Sequence, residues 1–230
     1  MSDPAQHAPD PGASALSLIG RKTSINVQKV RWLLLELGLD HAHRELGGAF
    51  GGLQTDAFAA LNPNRLVPVL VDGDLVLWES NAILRYLARR YSPGGIEGAT
   101  PAQIAQADMW MEWFQNRPLP QLTAVFYQTV RLPRAERDAG LRDAAAARLN
   151  DAFALLDRHL TGRTHLVGDA LTLGDIVIGT ALFRYFTLDF ERPSLPSLRA
   201  YYTALQGRAA YREAAMVPYE SLRAKENPCP

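Results

Sequence analysis

The spacing of apolar residues changes once along this chain of 230 residues, and the change falls between Ser92 and Pro101. Before that point, strand-length apolar runs alternate with stretches whose apolar residues recur at helical spacing. Beyond it, every periodic segment is helical. Each half must bury its own apolar faces, so the pattern specifies an α/β unit followed by an all-helical one. The Gly- and Pro-rich residues 93–100 carry no periodicity and read as a linker. The opening MSDPAQHAPDPGAS is rich in Pro, Ala and Asp and lacks the apolar stretch of a secretory signal. The expected division is a disordered tail at 1–14, an α/β domain at 15–92, the linker, and a helical domain at 101–230.

Within the first domain, Leu16 to Ile19 is a compact strand. Val27, Val30, Leu34 and Leu37 set one face of a helix over 26–37, and Gly38 follows as its stop signal. An outer strand is expected over 41–46. Four glycines around Phe50 mark a loop, and Thr55 caps a short helix that Asn62-Pro63-Asn64 ends. The β-rich runs 67–71 and 75–78 join at Asp72-Gly73, a hairpin dipeptide. Ser80 is expected to cap a helix with a stripe of Ile83, Leu84, Leu87 and Tyr91. The order β-α-β-α-β-β-α gives a parallel βαβ unit followed by an antiparallel hairpin and a closing helix.

Beyond residue 100, helices are expected over 101–116, 119–130, 134–160, 172–187 and 195–205, with a short piece from Arg208. Thr172 and Asp175 stand at cap and third position of one of them, a capping-box arrangement. That helix is apolar nearly all round, as in the centre of a bundle, so Asp175 reads as structural.

Charge excludes several functions. Basic and acidic side chains number 24 each. A neutral chain has no overall field to hold nucleic acid or an anionic membrane surface. No apolar run reaches the roughly 18–20 residues that span a bilayer. The single cysteine, Cys229, excludes an internal disulfide framework and a CxxC pair, and suggests a cytoplasmic protein. The five histidines show no metal-binding spacing. His41 and His43 would share a strand face, where a solvated edge is the expected role, so no metal is expected.

Three runs carry a family resemblance: LSLIGRKTSINVQKVRWLLLELGL, LNPNRLVPVLVDGDLVLWESNAILRYLARRY and LTLGDIVIG. Together they resemble the cytosolic glutathione transferases, most of all their bacterial, theta-like members. The resemblance implies a thioredoxin-like domain, a helical domain, a homodimer, and glutathione as co-substrate. The chemistry implied is attack of the glutathione thiolate on a small hydrophobic electrophile, with peroxidase, dehalogenase or disulfide-reducing activity as variants. Non-catalytic interaction modules also share the fold.

The family activates the thiol with Tyr, Ser/Thr or Cys at the end of the first strand. This chain has no cysteine before Cys229 and no tyrosine before Tyr86, which leaves hydroxyls. Ser24-x-Asn26-x-x-Lys29 resembles the Ser/Thr-type bacterial enzymes, so Ser24 is the implied donor, Thr23 the fallback and Asn26 a second contact. The plain alternative is Ser24 as a helix cap. Val67-Pro68 resembles the cis-proline element that pairs with the cysteinyl backbone. Glu79-Ser80 resembles the pair that binds the γ-glutamyl end, where a helix N-terminus suits a carboxylate. Many relatives carry a basic or amide residue where this chain has Leu66; Arg65, Gln54 or a residue of the helical domain are the substitutes available for the glycyl carboxylate. The electrophile site is expected between the domains on the first bundle helices, with Trp113 and Asp108 as candidates. Phe50 either inserts into a partner subunit or folds back over its own sheet.

Overall fold

The computed structural model of the chain describes residues 16–225; the expected tail and Cys229 lie outside the described residues. Strand β1 (Leu16–Ile19) leads into helix α1 (Ile25–Glu36) and the short strand β2 (Ala42–Arg44). Helix α2 (Asp56–Leu61) precedes the hairpin β3 (Val69–Asp72) and β4 (Leu75–Trp78), and α3 (Ser80–Tyr91) closes the unit. The sheet order is β2-β1-β3-β4, with β1 parallel to β2 and antiparallel to β3. This mixed sheet is thioredoxin-like.

Strand alternation divides the core between the two sheet faces. Leu18 and Leu70 are partners in register, and they belong to the cluster that holds Val27, Val30 and Leu34 of α1 with Ile83, Leu84 and Leu87 of α3. The next pair along, Ile19 and Val69, belongs to the opposite side and is covered by Phe58 of α2. Thr55 caps α2 by accepting the Phe58 N–H at 3.2 Å. Asp72 pairs with Leu75, so the turn is the two residues Gly73-Asp74, and Gly73 takes the positive φ of 57° that it requires.

The second part comprises α4 (Pro101–Asn116), α5 (Pro118–Phe126), α6 (Ala139–His159), α7 (Leu173–Thr187), α8 (Pro196–Gln206) and α9 (Ala209–Ala214). Two boundaries differ from the sequence reading. Helix α5 passes into a π-helical turn at Tyr127–Arg131 instead of running on regularly. Helix α6 starts at Ala139, not Arg134, because Asp138 caps it by accepting the Leu141 N–H at 2.9 Å. Within the expected linker, Ile96 and Glu97 are buried, and the Ile96 carbonyl accepts the Leu173 N–H at 3.0 Å.

Helix α7 is the central element, as its apolar circumference requires. Helix α1 packs directly on it through fully buried Trp32, whose ring meets Tyr211 edge-on at 4.7 Å. Gly179 makes that approach possible: a Cβ there would sit 2.9 Å from Trp32 Cζ3 and 2.7 Å from Leu205 Cδ1. One continuous apolar cluster therefore holds the sheet unit and the bundle together.

Candidate active site

The strand register collects the candidate residues on one rim of the sheet. The end of β1 (Ile19) pairs with the start of β3 (Val69), which pairs with the end of β4 (Trp78). The turn carrying Thr23 and Ser24, the Val67-Pro68 step and the Glu79-Ser80 step are thus brought to the same edge, although they are separated widely in sequence. The Val67–Pro68 bond is cis. Gly20 sits against Val67 so closely that a Cβ would lie 2.8 Å from the Val67 Cβ.

Ser24 occupies the cap position of α1, and its carbonyl accepts the Gln28 N–H at 2.9 Å. Its hydroxyl makes no capping bond. The side chain lines a cleft of about 190 Å³ between the two halves, together with Thr23 and the apolar side chains Leu119, Leu122 and Phe126 of α5. A serine that capped its helix would spend its oxygen on the backbone; this one leaves it available.

At the start of α3, the cap position belongs to Glu79 rather than Ser80, correcting the sequence reading. Glu79 is exposed and held at φ 71°, ψ 109°, a conformation costly for a side-chain-bearing residue. Ser80 is buried and donates to Asn26 Oδ1 at 3.4 Å, tying the first turns of α1 and α3 together. One turn further along α1, Lys29 is fully buried and donates to Gln115 Oε1 of α4 at 3.3 Å. Burial pulls its ammonium down to about 7, against the opposing pull of Glu79 and Glu112.

Other candidates lie elsewhere. Arg65, itself at φ 55°, turns back to donate to the Thr55 carbonyl at 3.1 Å and the Leu53 carbonyl at 3.3 Å. Leu66 is 61 % exposed, and Gln54 is exposed beside α2. Asp108 forms an ion pair with Arg85 at 2.7 Å, and Trp113 meets Trp110 edge-on at 5.1 Å. Neither lines the cleft: of the first bundle helices it is α5 that forms the wall, joined by Arg184 of α7, and no residue of α4 takes part. Three cleft residues, Arg21, Arg131 and Arg184, escaped the sequence reading. They come from a turn, a π-helical turn and a helix far apart in the chain, so no local pattern announces them.

Among the described residues, no group of three His, Cys, Asp or Glu side chains is placed to hold a metal ion, and no helix is long and apolar enough to cross a membrane. A four-stranded mixed sheet with a hydroxyl-bearing turn at its rim, closed by a helical bundle, defines the class. Residues 18–95 match the glutathione S-transferase N-terminal domain and residues 119–209 the C-terminal domain of the same family. The chain belongs to the glutathione S-transferase family. It is 37% identical over 205 residues to the glutathione S-transferase GstB of Escherichia coli K12, covering 88% of this chain and 99% of that one. It is 32% identical to glutathione S-transferase 3 of Zea mays, with 88% and 95% covered. Among solved structures, the theta class glutathione S-transferase of the citrus canker pathogen Xanthomonas axonopodis pv. citri, crystallised with glutathione bound, superposes with a TM-score of 0.85 at 41% identity, covering 89% of this chain and 99% of that one.

Proposed function

We propose that the protein is a glutathione transferase in which Ser24 activates the glutathione thiol as a nucleophile toward a small electrophile seated in the cleft between the two halves. The observation that carries this reading is the Ser24 hydroxyl, uncommitted to its helix and lining that cleft on the same rim as Glu79. A free cysteine-type thiol titrates near ~8.5, so little is ionised at neutral pH. Hydrogen bonds to charged groups contribute about 1.5–3 kcal/mol, and each unit of pKa corresponds to about 1.36. Donation from Ser24 to the thiolate accounts for one to two units of lowering on that scale. Glutathione as a bound tripeptide presents two carboxylates and one ammonium. Glu79 pairs with the α-ammonium in this reading, while Ser80 and the free N–H groups opening α3 receive the γ-glutamyl carboxylate. Asn26 holds Ser80 in place, and the Val67 backbone pairs with the cysteinyl unit as an added strand does. Arg65 and Gln54 are the residues this reading offers to the glycyl carboxylate.

The rate against pH tests the assignment. Ser24→Ala should move the acidic limb upward by about one to two units and slow the reaction near pH 6.5 by about ten- to a hundredfold, with glutathione affinity little changed. Full activity in Ser24→Ala, with loss in Thr23→Val, would transfer the role to Thr23. A thermal shift with millimolar glutathione tests binding itself; no shift would favour a non-catalytic interaction module.

Two further parts of the proposal concern assembly and location. Exposed Trp78, Leu75, Phe50 and Met109 supply apolar surface for a symmetric dimer, which sedimentation velocity tests. A cytoplasmic location accords with a reaction that consumes reduced glutathione, and cell fractionation tests it.

A further inference from the structure

Three guanidinium groups converge on the cleft beside Ser24, and no carboxylate lines it. Arg184, in the last turn of α7, is 8% exposed and donates through Nη2 to the Thr23 carbonyl at 2.5 Å. Its Cζ lies 4.5 Å from the Phe126 ring centroid, and its Nε is buried with no hydrogen-bond partner. Arg21, at the start of the β1–α1 turn, also has a buried Nε with no partner. The glycine-rich loop closes over it: a Cβ at Gly47 or Gly48 would come within 3.2 Å of the Arg21 side chain. Arg131 projects from the π-helical turn, with its Cζ 5.8 Å from the Tyr127 ring. None of the three forms an ion pair among the described residues. Burial brings Arg184 down to about 10, and repulsion from Arg21 and Arg131 adds to it.

A buried donor left without an acceptor costs about 1–3 kcal/mol, and folded proteins leave few of them. Here two occur on side chains that line one cleft, and the cations that carry them repel each other. An anion in the cleft would relieve the repulsion among these cations, and the planar guanidinium fork is suited to hold a carboxylate by paired hydrogen bonds. The remaining walls, Leu119, Leu122 and Phe126, are apolar.

We infer that the second substrate is a small electrophile with an acid group, a carboxylate or its isostere, held by Arg184, Arg21 and Arg131 with its reactive carbon turned toward Ser24. This rests on the proposed glutathione transferase activity and names its substrate class. Arg184 binds and orients the acid; Phe126 and its neighbours accept the apolar remainder.

Iodoacetate and iodoacetamide test it, being nearly equal in size and differing in charge. In both, the thiolate sulfur bonds to the α-carbon while the carbon–iodine bond breaks and iodide leaves with the electron pair. With each enzymatic kcat/KM divided by the uncatalysed rate with glutathione, the acid should lead the amide by about tenfold or more. Arg131→Gln and Arg184→Met should each cut that ratio by about tenfold or more, whatever they do to the rate the two substrates share. An intact ratio with a raised KM for glutathione would overturn the inference and assign the cluster to the tripeptide's own carboxylate. Equal losses for both electrophiles would overturn it in favour of a field acting on the thiolate. Arg131→Gln, on a less buried side chain, stands in if Arg184→Met does not fold. Calorimetry reads the same contrast without turnover: S-carboxymethylglutathione should bind about tenfold tighter than S-carbamoylmethylglutathione. Equal affinities would refute the anion site while leaving the glutathione reading intact; failure to bind these and glutathione alike would remove both.

Discussion

Replacing Asp175 with alanine should destabilise the whole protein, because one buried carboxylate organises the start of its central helix. The side chain is fully buried. Its Oδ1 accepts the Leu166 N–H at 2.9 Å and the Tyr201 hydroxyl at 2.7 Å, and its Oδ2 accepts both the N–H and the hydroxyl of Thr172 at 2.8 Å. Hydrogen bonds to charged groups contribute about 1.5–3 kcal/mol each, but four that share one acceptor group are not additive. Each buried donor left without an acceptor costs about 1–3 kcal/mol, and with that non-additivity about 3–5 kcal/mol in all is the loss expected of Asp175→Ala. Against a typical total of about 5–15 kcal/mol, it places the variant near the margin of folding. Asp175→Asn should cost about 2–3 kcal/mol, since it keeps one acceptor oxygen and turns an amide N–H toward the Thr172 donors. Tyr201→Phe, which removes a single donor, should cost about 1–2 kcal/mol. Urea unfolding followed by circular dichroism measures all three at fixed m. A loss below about 1 kcal/mol in Asp175→Ala would refute the reasoning, because the orphaned donors would then have found other partners.

Lys29 predicts an unusual pH dependence. It titrates near 7 in the folded chain against an ordinary 10.5, so between those values the unfolded chain binds a proton that the folded chain lacks, and stability rises with pH. Below about 7 both states are protonated and the burial penalty is present in full. Lys29→Met should remove up to about 1.36 kcal/mol per pH unit of this slope between pH 7.5 and 9.5, and matching slopes in the two proteins would disprove it. Glu79→Gly relieves the positive φ and should raise stability by about 1 kcal/mol while weakening glutathione binding by about 1.5–3 kcal/mol; a variant unchanged in both respects would sink the pairing of strain with recognition. Gly179→Ala forces Trp32 and Leu205 apart and should cost about 1–3 kcal/mol, read as a fall in urea midpoint; a neutral result would mean the α1–α7 contact yields more easily than its distances suggest.

Local chemistry made much of the molecule legible in advance. Apolar periodicity marked α1, α3 and the all-round apolar α7. The Asp72-Gly73 pair marked the hairpin, and Thr172 with Asp175 marked the boundary of α7. The misjudged boundaries belong to competing local interactions: Asp138 offers the better cap for α6, and the π-helical turn shifts the end of α5 out of the regular period. Glu79, not Ser80, took the cap of α3, because the one residue between the end of β4 at Trp78 and the start of α3 must turn the chain before the helix can start.

The sequence by itself determined the order of elements and which faces are apolar, since each depends on neighbours a few positions away. Only the tertiary structure decided that the Ser24 hydroxyl is uncommitted, that Lys29 is sealed beneath Gln115, and that Arg21, Arg131 and Arg184 share one cleft. Those facts arise where α1 crosses α7 and where loops from distant parts of the chain close over one another. Charge in a linear sequence carries no direction; only packing brings three cations without a carboxylate to the same 190 Å³ of space.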